Sequence, residues 1–235
     1  MKRIIIKTVF FAVLSTLVHG QMSAVFAKHT NVGVPASESY VDSSDNRKVI
    51  IYVGDSRVMY CTCGAKKSAV RTNFAFCFVN GGNVSVIDRN GGKLTSHVEN
   101  YIDKYRKYNP VIIFNFGLNG NGSPENNAKR IIQVYRKWMD AYPNLRFYVE
   151  GIGPTILQKG SYSNPKVIRL NRYLQAEYEP KGMWIDTYGF IQEKGLINSS
   201  GKGMKDSYHY RWKTSKRILK MLRERVENDI ADTAA

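Results

Sequence analysis

The sequence predicts an α/β fold, a three-layer α/β/α sandwich built on a five-stranded parallel sheet. Three observations support this prediction. Short apolar runs of strand length alternate along the chain with amphipathic segments of helix length. Glycine, asparagine and proline stand between them, where turns and helix starts need such residues. Strands separated by helices pair in parallel through right-handed crossovers, so we expect helices on both faces of the sheet.

Five runs have the composition of buried strands. Each is short, rich in apolar residues, and bounded by polar or glycine-containing segments. In chain order they are Val49–Val53, Phe74–Val79, Val111–Phe116, Arg146–Glu150 and Met183–Ile185. In an open parallel sheet, a ligand site lies beyond the carboxyl ends of the strands. Chemically active side chains are therefore expected just after these runs.

Four amphipathic segments are predicted as helices. They begin at turn or capping signals and place apolar residues on one face. They are Leu94–Lys107, a segment from the N-cap Ser123 to about Tyr142, a segment that opens at Asn164, and a segment after Tyr210. In the second of these, proline occupies the first helical position, where its missing N–H costs nothing.

The first 27 residues have the pattern of a secretory signal peptide. A basic start precedes an apolar run, and small residues precede Ala27. An uncleaved membrane anchor is the alternative, but the run is short for a bilayer span. We expect cleavage near Ala27 and a secreted or cell-surface protein. Residues 28–47 are polar and predict a loose leader, and residues 48–230 predict a single domain.

The chain is strongly basic. It has 35 Lys and Arg against 19 Asp and Glu, a formal net charge of +16. Charge of this size favours contact with polyanions, but a soluble basic surface without a specific partner explains it equally well. We expect at most nonspecific polyanion contact, and no specific nucleic-acid partner.

Three cysteines are present, at Cys61, Cys63 and Cys77. Export would permit a disulfide from Cys61 or Cys63 to Cys77, with one cysteine left over. Buried thiols are the other interpretation, because cysteine behaves as a small apolar residue. No histidine stands near them in the sequence, so a metal site is not expected.

Ser56 follows the first predicted strand, in Val53-Gly54-Asp55-Ser56-Arg57. At a strand-to-helix turn its hydroxyl would project into the crevice, and its N–H would join the positive end of the following helix. A plain turn with Ser56 as a helix cap is the alternative. The position directly after an apolar strand favours a nucleophile, which needs a base.

Two histidines lie outside the N-terminal segments, His97 and His209. His97 falls early in a predicted surface helix, and we expect it to be structural or solvated. His209 ends Asp206-Ser207-Tyr208-His209, a loop before the last helix. The three-residue spacing lets the Asp206 carboxylate turn back onto the imidazole, fix its tautomer and stabilise the imidazolium. An ordinary polar loop is the alternative.

Two glycine-rich segments follow the second and third predicted strands. Asn119 lies in Phe116–Gly122, where it could donate its side-chain amide to a developing oxyanion. The alternative is an Asn-Gly turn without function. Asn80–Asn83 contains Gly81 and Gly82, and a glycine N–H there could be a second donor.

These four segments together resemble the SGNH/GDSL hydrolase family. Its sequence blocks are Gly-Asp-Ser, a glycine, Gly-x-Asn-Asp and Asp-x-x-His, and they occur here in that order from about Val49 to the last helix. The resemblance implies a flavodoxin-like α/β/α fold and no metal or cofactor. It implies the nucleophile Ser56, the general base His209, the orienting Asp206, and an oxyanion hole of the Ser56 N–H, the Gly82 (or Gly81) N–H and the Asn119 side chain.

The sequence departs from the family pattern at two places. Gly120 stands where the family usually has aspartate, and Ser207 stands where glycine is frequent. Neither change removes a group with an implied catalytic role. We therefore expect the loop geometry at Gly120 to change more than the chemistry.

The resemblance implies ester hydrolysis through a Ser-His-Asp triad. Export and the habits of the family favour a small acyl group, such as acetyl, on a cell-wall or extracellular polysaccharide. An exported O-acyltransferase would use the same triad. A lipase or thioesterase would need an apolar acyl groove, and a non-catalytic, basic, polyanion-binding module on this scaffold is the interpretation from another class.

Overall fold

The structure is a computed structural model that describes residues 32–45, 47–63, 72–120, 122–160 and 162–234, without the side chains of 63 and 232–234. The predicted signal peptide lies outside these residues, so its cleavage near Ala27 stays a prediction. Within the described ranges, no helix has both the length and the apolar character needed to cross a bilayer.

One six-stranded sheet forms the centre of the fold, in the order β1-β3-β2-β4-β5-β6. The strands are β1 (Pro35–Ser39), β2 (Ile50–Gly54), β3 (Phe74–Val79), β4 (Val111–Asn115), β5 (Arg146–Glu150) and β6 (Trp184–Ile185). Strands β2 to β6 are parallel and correspond to the five predicted runs. The predicted parallel sheet is therefore confirmed, and its strand order is the flavodoxin-like one.

β1 corrects the prediction of a loose leader over residues 28–47. Pro35–Ser39 pairs antiparallel with β3, and Pro35 lies opposite Val79. The segment lacks an apolar pattern because an edge strand is held largely by backbone hydrogen bonds to one neighbour. The sheet therefore begins before the predicted domain boundary at residue 48, and the last helix likewise continues past residue 230.

Helices cover both faces of the sheet, as predicted. They are α1 (Ser56–Cys63), α2 (Thr95–Tyr105), α3 (Pro124–Ala141), α4 (Asn164–Tyr178), α5 (Thr187–Glu193) and α6 (Trp212–Ala234). Helices α2, α3 and α4 pack on one face through residues such as Val98, Tyr135 and Leu174. Helices α1 and α6 pack on the other through residues such as Val58 and Leu222.

Helix starts follow local capping chemistry. The Ser123 hydroxyl accepts a hydrogen bond from the Asn126 N–H at 3.2 Å, so the predicted N-cap of α3 is confirmed. Helix α5, of seven residues, was not among the predicted helices. The Asp186 carboxylate caps it by accepting from the Gly189 N–H at 2.9 Å. Asp186 can be recognised as a cap only when the end of the preceding strand, β6, is known.

The sheet separates Cys61 from Cys77. Cys61 is buried between the sheet and α6, whereas Cys77 is buried in the core on the opposite face. The two therefore do not form the disulfide that the sequence analysis left open. Burial raises the pKa of the Cys77 thiol well above its usual value. The side chain of Cys63 lies outside the described atoms.

The strand order fixes where a site can form. β2 lies between β3 and β4, and the order of the strands reverses at this point. A crevice therefore opens beyond the carboxyl end of β2, where open α/β sheets bind their ligands. The segments after β2, β3 and β4 contain Ser56, Gly82 and Asn119 respectively.

Candidate active site

Ser56 is the first residue of α1, at a tight strand-to-helix turn. Gly54 makes the turn possible, since a Cβ there would lie 2.5 Å from the Asn115 carbonyl oxygen. Asp55 caps the helix by accepting from the Arg57 N–H at 2.9 Å. Ser56 is only 4% exposed, so its hydroxyl lies in a largely desolvated position at the positive end of α1.

The loop before α6 presents His209 and Asp206 together. An isolated antiparallel bridge between Met204 and Tyr210 closes this loop. Within it, the Lys205 N–H donates to the His209 carbonyl at 2.7 Å. The Asp206 carboxylate accepts from the backbone N–H groups of Tyr208 and His209, at 3.0 and 2.8 Å. The closed loop therefore holds both side chains in one orientation.

Ser56, His209 and Asp206 form one hydrogen-bonded chain. The Ser56 Oγ lies 2.8 Å from His209 Nε2, and His209 Nδ1 lies 2.7 Å from Asp206 Oδ2. A neutral imidazole satisfies both contacts when Nδ1 donates to the carboxylate and Nε2 accepts the serine proton. The structure thus brings together the three residues that the sequence analysis assigned to catalysis. Their catalytic roles stay predictions.

The electrostatics of the chain favour a neutral His209. Burial lowers the pKa of His209 below its ordinary value of 6.5, and Asp206 opposes that shift without reversing it. Burial would by itself raise the pKa of Asp206, but the hydrogen bonds from Tyr208 and His209 together hold it below its usual value. At neutral pH the arrangement is therefore a basic imidazole beside an ionised carboxylate, as a general base requires.

Two tyrosine rings flank the imidazole. Tyr60 on α1 lies with its ring centroid 4.2 Å from that of His209, and the Tyr208 ring lies 4.6 Å away edge-on. These contacts restrict rotation of the imidazole and shield it from water, consistent with the depressed pKa of His209. Neither tyrosine was predicted as a site residue, because neither is a defining position of a recognised motif.

Two of the predicted oxyanion donors, Asn119 and Gly82, form a second side of the site next to Asp55. The Asn119 side-chain amide donates to Asp55 Oδ2 at 3.1 Å and to the Gly82 carbonyl at 3.2 Å. The Gly82 N–H donates to the Val79 carbonyl at 3.1 Å, inside the turn that follows β3. The structure therefore brings Asn119 and Gly82 together, but it also supplies a protein acceptor for each of these donors.

Asp55 links the two sides of the site. One carboxylate oxygen caps the helix that carries Ser56, and the other accepts from Asn119. The side chain is fully buried, and burial raises its pKa to about 6, although its hydrogen bonds and the charge of Arg57 oppose the shift. Asp55 is part of the Gly-Asp-Ser segment of the sequence, but this bridging contact is visible only in the structure.

Packing in the Asn119 loop leaves no room for a Cβ at Gly117 or at Gly120, the position where aspartate was expected from the resemblance. Gly117 has a positive φ of 147°, and a Cβ there would lie 2.7 Å from Leu170. The Asn127 side chain occupies the space that a Cβ on Gly120 would need, and it donates to the Gly117 carbonyl at 3.0 Å. An aspartate at position 120 would therefore displace Asn127, so the glycine belongs to the local packing.

Arg57 ties the nucleophile turn to the histidine loop. Its guanidinium is buried and donates to the carbonyls of Tyr208, Gly153 and Pro154, with the Tyr208 contact at 3.0 Å and the Gly153 contact at 2.6 Å. It also lies over the Tyr210 ring, 4.9 Å from the centroid. Arg57 directly follows Ser56 in the sequence, but no local pattern predicts these contacts.

A buried carboxylate lies beside this arginine. Glu150 at the end of β5 accepts hydrogen bonds from the Tyr52 hydroxyl and from the Thr187 hydroxyl, the latter at 2.8 Å. Burial raises the pKa of Glu150 to about 7, against the opposing effects of these hydrogen bonds and of the Arg57 charge. Its partners come from segments 98 and 37 residues away in the sequence, so no local signal predicts the cluster.

The other histidine lies elsewhere. His97 on α2 contacts the Ser37 hydroxyl through Nδ1 at 3.1 Å, at the edge strand β1. Of the two roles expected for His97, structural or solvated, this contact favours the structural one, and His209 is the histidine beside Ser56. Across the described ranges, no cluster of three His, Cys, Asp or Glu side chains has the arrangement of a metal site.

Comparison with known proteins identifies the fold. No protein-family model and no curated protein matches the sequence. A candidate GDSL-like lipase from Parabacteroides merdae has a TM-score of 0.54 at 12% identity, over 76% of this chain and 96% of its own. The lipase/acylhydrolase from Enterococcus faecalis has a TM-score of 0.53 at 10% identity, over 78% and 96%.

An acetylxylan esterase from Geobacillus stearothermophilus has a TM-score of 0.51 at 10% identity, over 75% of this chain and 93% of its own. At such low identities these likenesses establish the fold. The α/β/α fold implied by the sequence resemblance is thereby confirmed, and it is the fold of lipases, acylhydrolases and esterases.

Proposed function

We propose that this chain is an esterase of the SGNH/GDSL type that cleaves a carboxylic ester with Ser56 as its nucleophile. The observation that carries the proposal is the unbroken chain of hydrogen bonds from the Ser56 hydroxyl through His209 to Asp206, with separations of 2.8 and 2.7 Å. The fold it shares with lipases, acylhydrolases and an acetylxylan esterase supports the reaction class.

The first half of the reaction forms an acyl-enzyme. His209 Nε2 takes the proton from the Ser56 hydroxyl as Oγ attacks the carbonyl carbon of the ester. The negative charge that develops on the carbonyl oxygen is held by the Ser56 N–H at the start of α1 and by the Asn119 amide. His209 then gives its proton to the departing alcohol oxygen, and the acyl group stays on Ser56.

The second half returns the free enzyme. His209 takes a proton from a water molecule, whose oxygen attacks the acyl carbon. The tetrahedral intermediate collapses, the carboxylic acid leaves, and the Ser56 oxygen recovers its proton from His209. Asp206 keeps the imidazole in the required tautomer and stabilises the imidazolium in both halves. These steps use side chains of this chain and one water molecule.

The substrate we propose is a small acyl ester, such as acetyl, on a cell-wall or extracellular polysaccharide. Support comes from the acetylxylan esterase among the proteins with this fold and from the signal-peptide pattern of the first 27 residues. We also propose that the protein is exported and acts at or outside the cell surface, because such polymers are found there.

The test uses p-nitrophenyl acetate and a second serine–histidine pair as its control. Ser56→Ala and His209→Ala are each expected to lower kcat/KM by roughly 10³-fold or more, because the members of a triad act as a unit. Ser37→Ala and His97→Ala remove a pair in contact at 3.1 Å that lies at the sheet edge, and they are expected to change kcat/KM by less than about twofold.

Labelling with a fluorophosphonate provides an independent readout. Mass spectrometry should locate the adduct on Ser56, and the Ser56→Ala protein should not react. Full turnover by Ser56→Ala, or an equal loss in the Ser37 and Ser56 variants, would overturn the proposal. Adding a sugar acceptor to the assay tests the transferase alternative, since an acyltransferase would acylate the acceptor faster than it hydrolyses the ester.

A further inference from the structure

A large cleft of about 730 Å³ lies beside the His209 loop. This volume falls within the range of pockets that bind small molecules. Residues from α1, from the segment after α5, from the His209 loop and from the start of α6 line it. Among them are six cations, Lys194, Lys202, Lys205, Arg211, Lys213 and Arg217, and no Asp or Glu is found among the described lining residues.

Most of this positive charge is not neutralised within the described chain. Lys194 pairs with Glu193 at 2.6 Å. No ion pair with the described acidic residues is found for Lys202, Arg211, Lys213 or Arg217. A concave surface lined by one sign of charge concentrates oppositely charged ligands. The cleft is therefore a place where an anionic ligand would collect.

The cleft shares a wall with the candidate active site. Tyr60 lines the cleft, and its ring also contacts the His209 ring at 4.2 Å. Lys205 lines the cleft and donates to the Tyr60 hydroxyl at 3.0 Å. In the sequence Lys205 directly precedes Asp206, and its charge adds a small contribution to burial in lowering the pKa of His209. The cleft therefore adjoins the imidazole that contacts the Ser56 hydroxyl.

We propose that this cleft is a subsite for an anionic polysaccharide whose O-acyl esters are cleaved at Ser56. The proposal rests on the function proposed above and narrows its substrate class. The cations supply contacts for carboxylate or phosphate groups along the polymer. The 48% exposed Trp212 supplies a flat amphipathic ring on which a sugar ring can lie.

Two other classes of polyanion fit the cleft less well. Nucleic acids contain no carboxylic ester for the adjacent serine to attack. Anionic lipids do contain such esters, but their acyl chains need an apolar groove. Among the described lining residues, the apolar side chains are Leu196 and three aromatic residues set among six cations, so the cleft lacks the run of aliphatic side chains that an acyl chain would follow. A carbohydrate polymer satisfies both the charge and the ester chemistry.

The first test measures binding without turnover. The full chain with Ser56→Ala is titrated with de-esterified polygalacturonate, which carries carboxylates, and with poly(glycerol phosphate), which carries phosphates. Tight binding of either polymer identifies the anion that the cleft prefers. Removing three exposed cleft cations, in Lys202→Gln/Lys213→Gln/Arg217→Gln, is expected to weaken that binding about tenfold, as three exposed ionic contacts would.

A matched control separates the cleft from overall charge. Arg130→Gln/Arg169→Gln/Arg172→Gln also removes three exposed cations, but from α3 and α4 on the opposite face of the sheet. It is expected to change binding by less than about twofold after correction for salt. Equal losses in the two triple variants would overturn the proposal, because they would trace binding to net charge rather than to the cleft.

The second test joins the cleft to catalysis. The ratio of kcat/KM for acetylated polygalacturonate to that for p-nitrophenyl acetate should fall about tenfold in the cleft variant and stay within twofold in the control. If the cleft variant alone loses polymer binding but no ester is cleaved, the proposed esterase function is overturned and the polymer-binding role of the cleft is supported. Tighter binding of duplex DNA or of phosphatidylglycerol vesicles, or binding of neither polymer, would overturn the subsite.

Discussion

The two sides of the candidate site differ in how far their contacts are assembled. On the nucleophile side, Ser56, His209 and Asp206 already contact one another in the arrangement that proton transfer needs. On the oxyanion side, Asn119 and Gly82 are in place, but their N–H groups donate to protein acceptors. On the first side, the hydrogen bonds that proton transfer needs are therefore already formed. On the second, the oxyanion donors are hydrogen-bonded to acceptors of the protein.

This difference separates two contributions to catalysis. Proton transfer depends on a geometry that folding supplies. Stabilisation of the oxyanion requires the Asn119 amide to exchange Asp55 or the Gly82 carbonyl for the substrate oxygen. Such an exchange favours the transition state over the ground state, because a charged oxygen competes better for the amide than a neutral carbonyl does. Variants on the two sides should therefore differ in how much activity they lose and in which kinetic parameter changes.

Breaking the nucleophile side should have the larger effect. In Asp206→Asn, an amide facing Nδ1 favours the tautomer in which Nε2 carries the proton and cannot accept one from Ser56. We expect kcat/KM for p-nitrophenyl acetate to fall by about 10²–10³-fold. The fall should be smaller than the roughly 10⁴-fold expected at a buried triad carboxylate, because the Asp206 side chain is 42% exposed.

The pH profile of that variant gives a second readout. Wild-type activity should fall as acid protonates His209, with a midpoint below 6.5 because burial lowers the pKa of His209. Asp206 raises that pKa, so its removal should move the midpoint to still lower pH. Asp186→Asn, which alters an exposed cap on α5, is the control and should leave the midpoint unchanged. A midpoint that moves upward in Asp206→Asn would contradict this account.

Breaking the oxyanion side should cost less and act on kcat. Asn119→Ala removes one donor, for which we expect about a 10²-fold loss in kcat with little change in KM. Asn127→Ala is the matched loop variant, because its amide holds the Gly117 carbonyl rather than Asp55. It should lower kcat by less than about tenfold. Similar losses in both would mean that Asn119 supports the loop rather than the oxyanion.

The sequence predicted the nucleophile side more completely than the oxyanion side. Asp206 and His209 are three residues apart, and Ser56 directly follows a strongly apolar strand, so local patterns were sufficient. The acceptors of Asn119 lie 64 and 37 residues away in the sequence, and only the folded chain brings them together. The edge strand β1 was not predicted because backbone pairing to β3, rather than an apolar pattern, holds it in the sheet.

Asp55 contacts both sides of the site. Its titration is expected to change the stability of the protein with pH, which is the smallest of the predicted effects. Burial raises its pKa from 3.8 to about 6, so between these values the folded state binds a proton that the unfolded state has released. Stability must then rise as the pH falls through this window. The shift corresponds to roughly 3 kcal/mol of unfolding free energy between pH 7 and pH 4.

Asp55→Asn removes this titration and keeps a cap for α1. The free energy of unfolding of the wild type should therefore increase relative to that of Asp55→Asn, by roughly 3 kcal/mol, as the pH is lowered from 7 to 4. Urea unfolding at several pH values measures the difference. The raised pKa of Glu150 acts in the same window, but it is present in both proteins and largely cancels.

Asp45→Asn is the control for this measurement. The Arg47 side chain, through its hydrogen bond, lowers the pKa of Asp45 to about 2, so Asp45 stays ionised in both the folded and the unfolded state over most of the window. Its difference from wild type should therefore be nearly flat between pH 7 and pH 5. A flat difference for Asp55→Asn as well would mean that water reaches the Asp55 carboxylate in the folded protein. The oxyanion side would then be open to solvent rather than held closed by the Asp55–Asn119 contact.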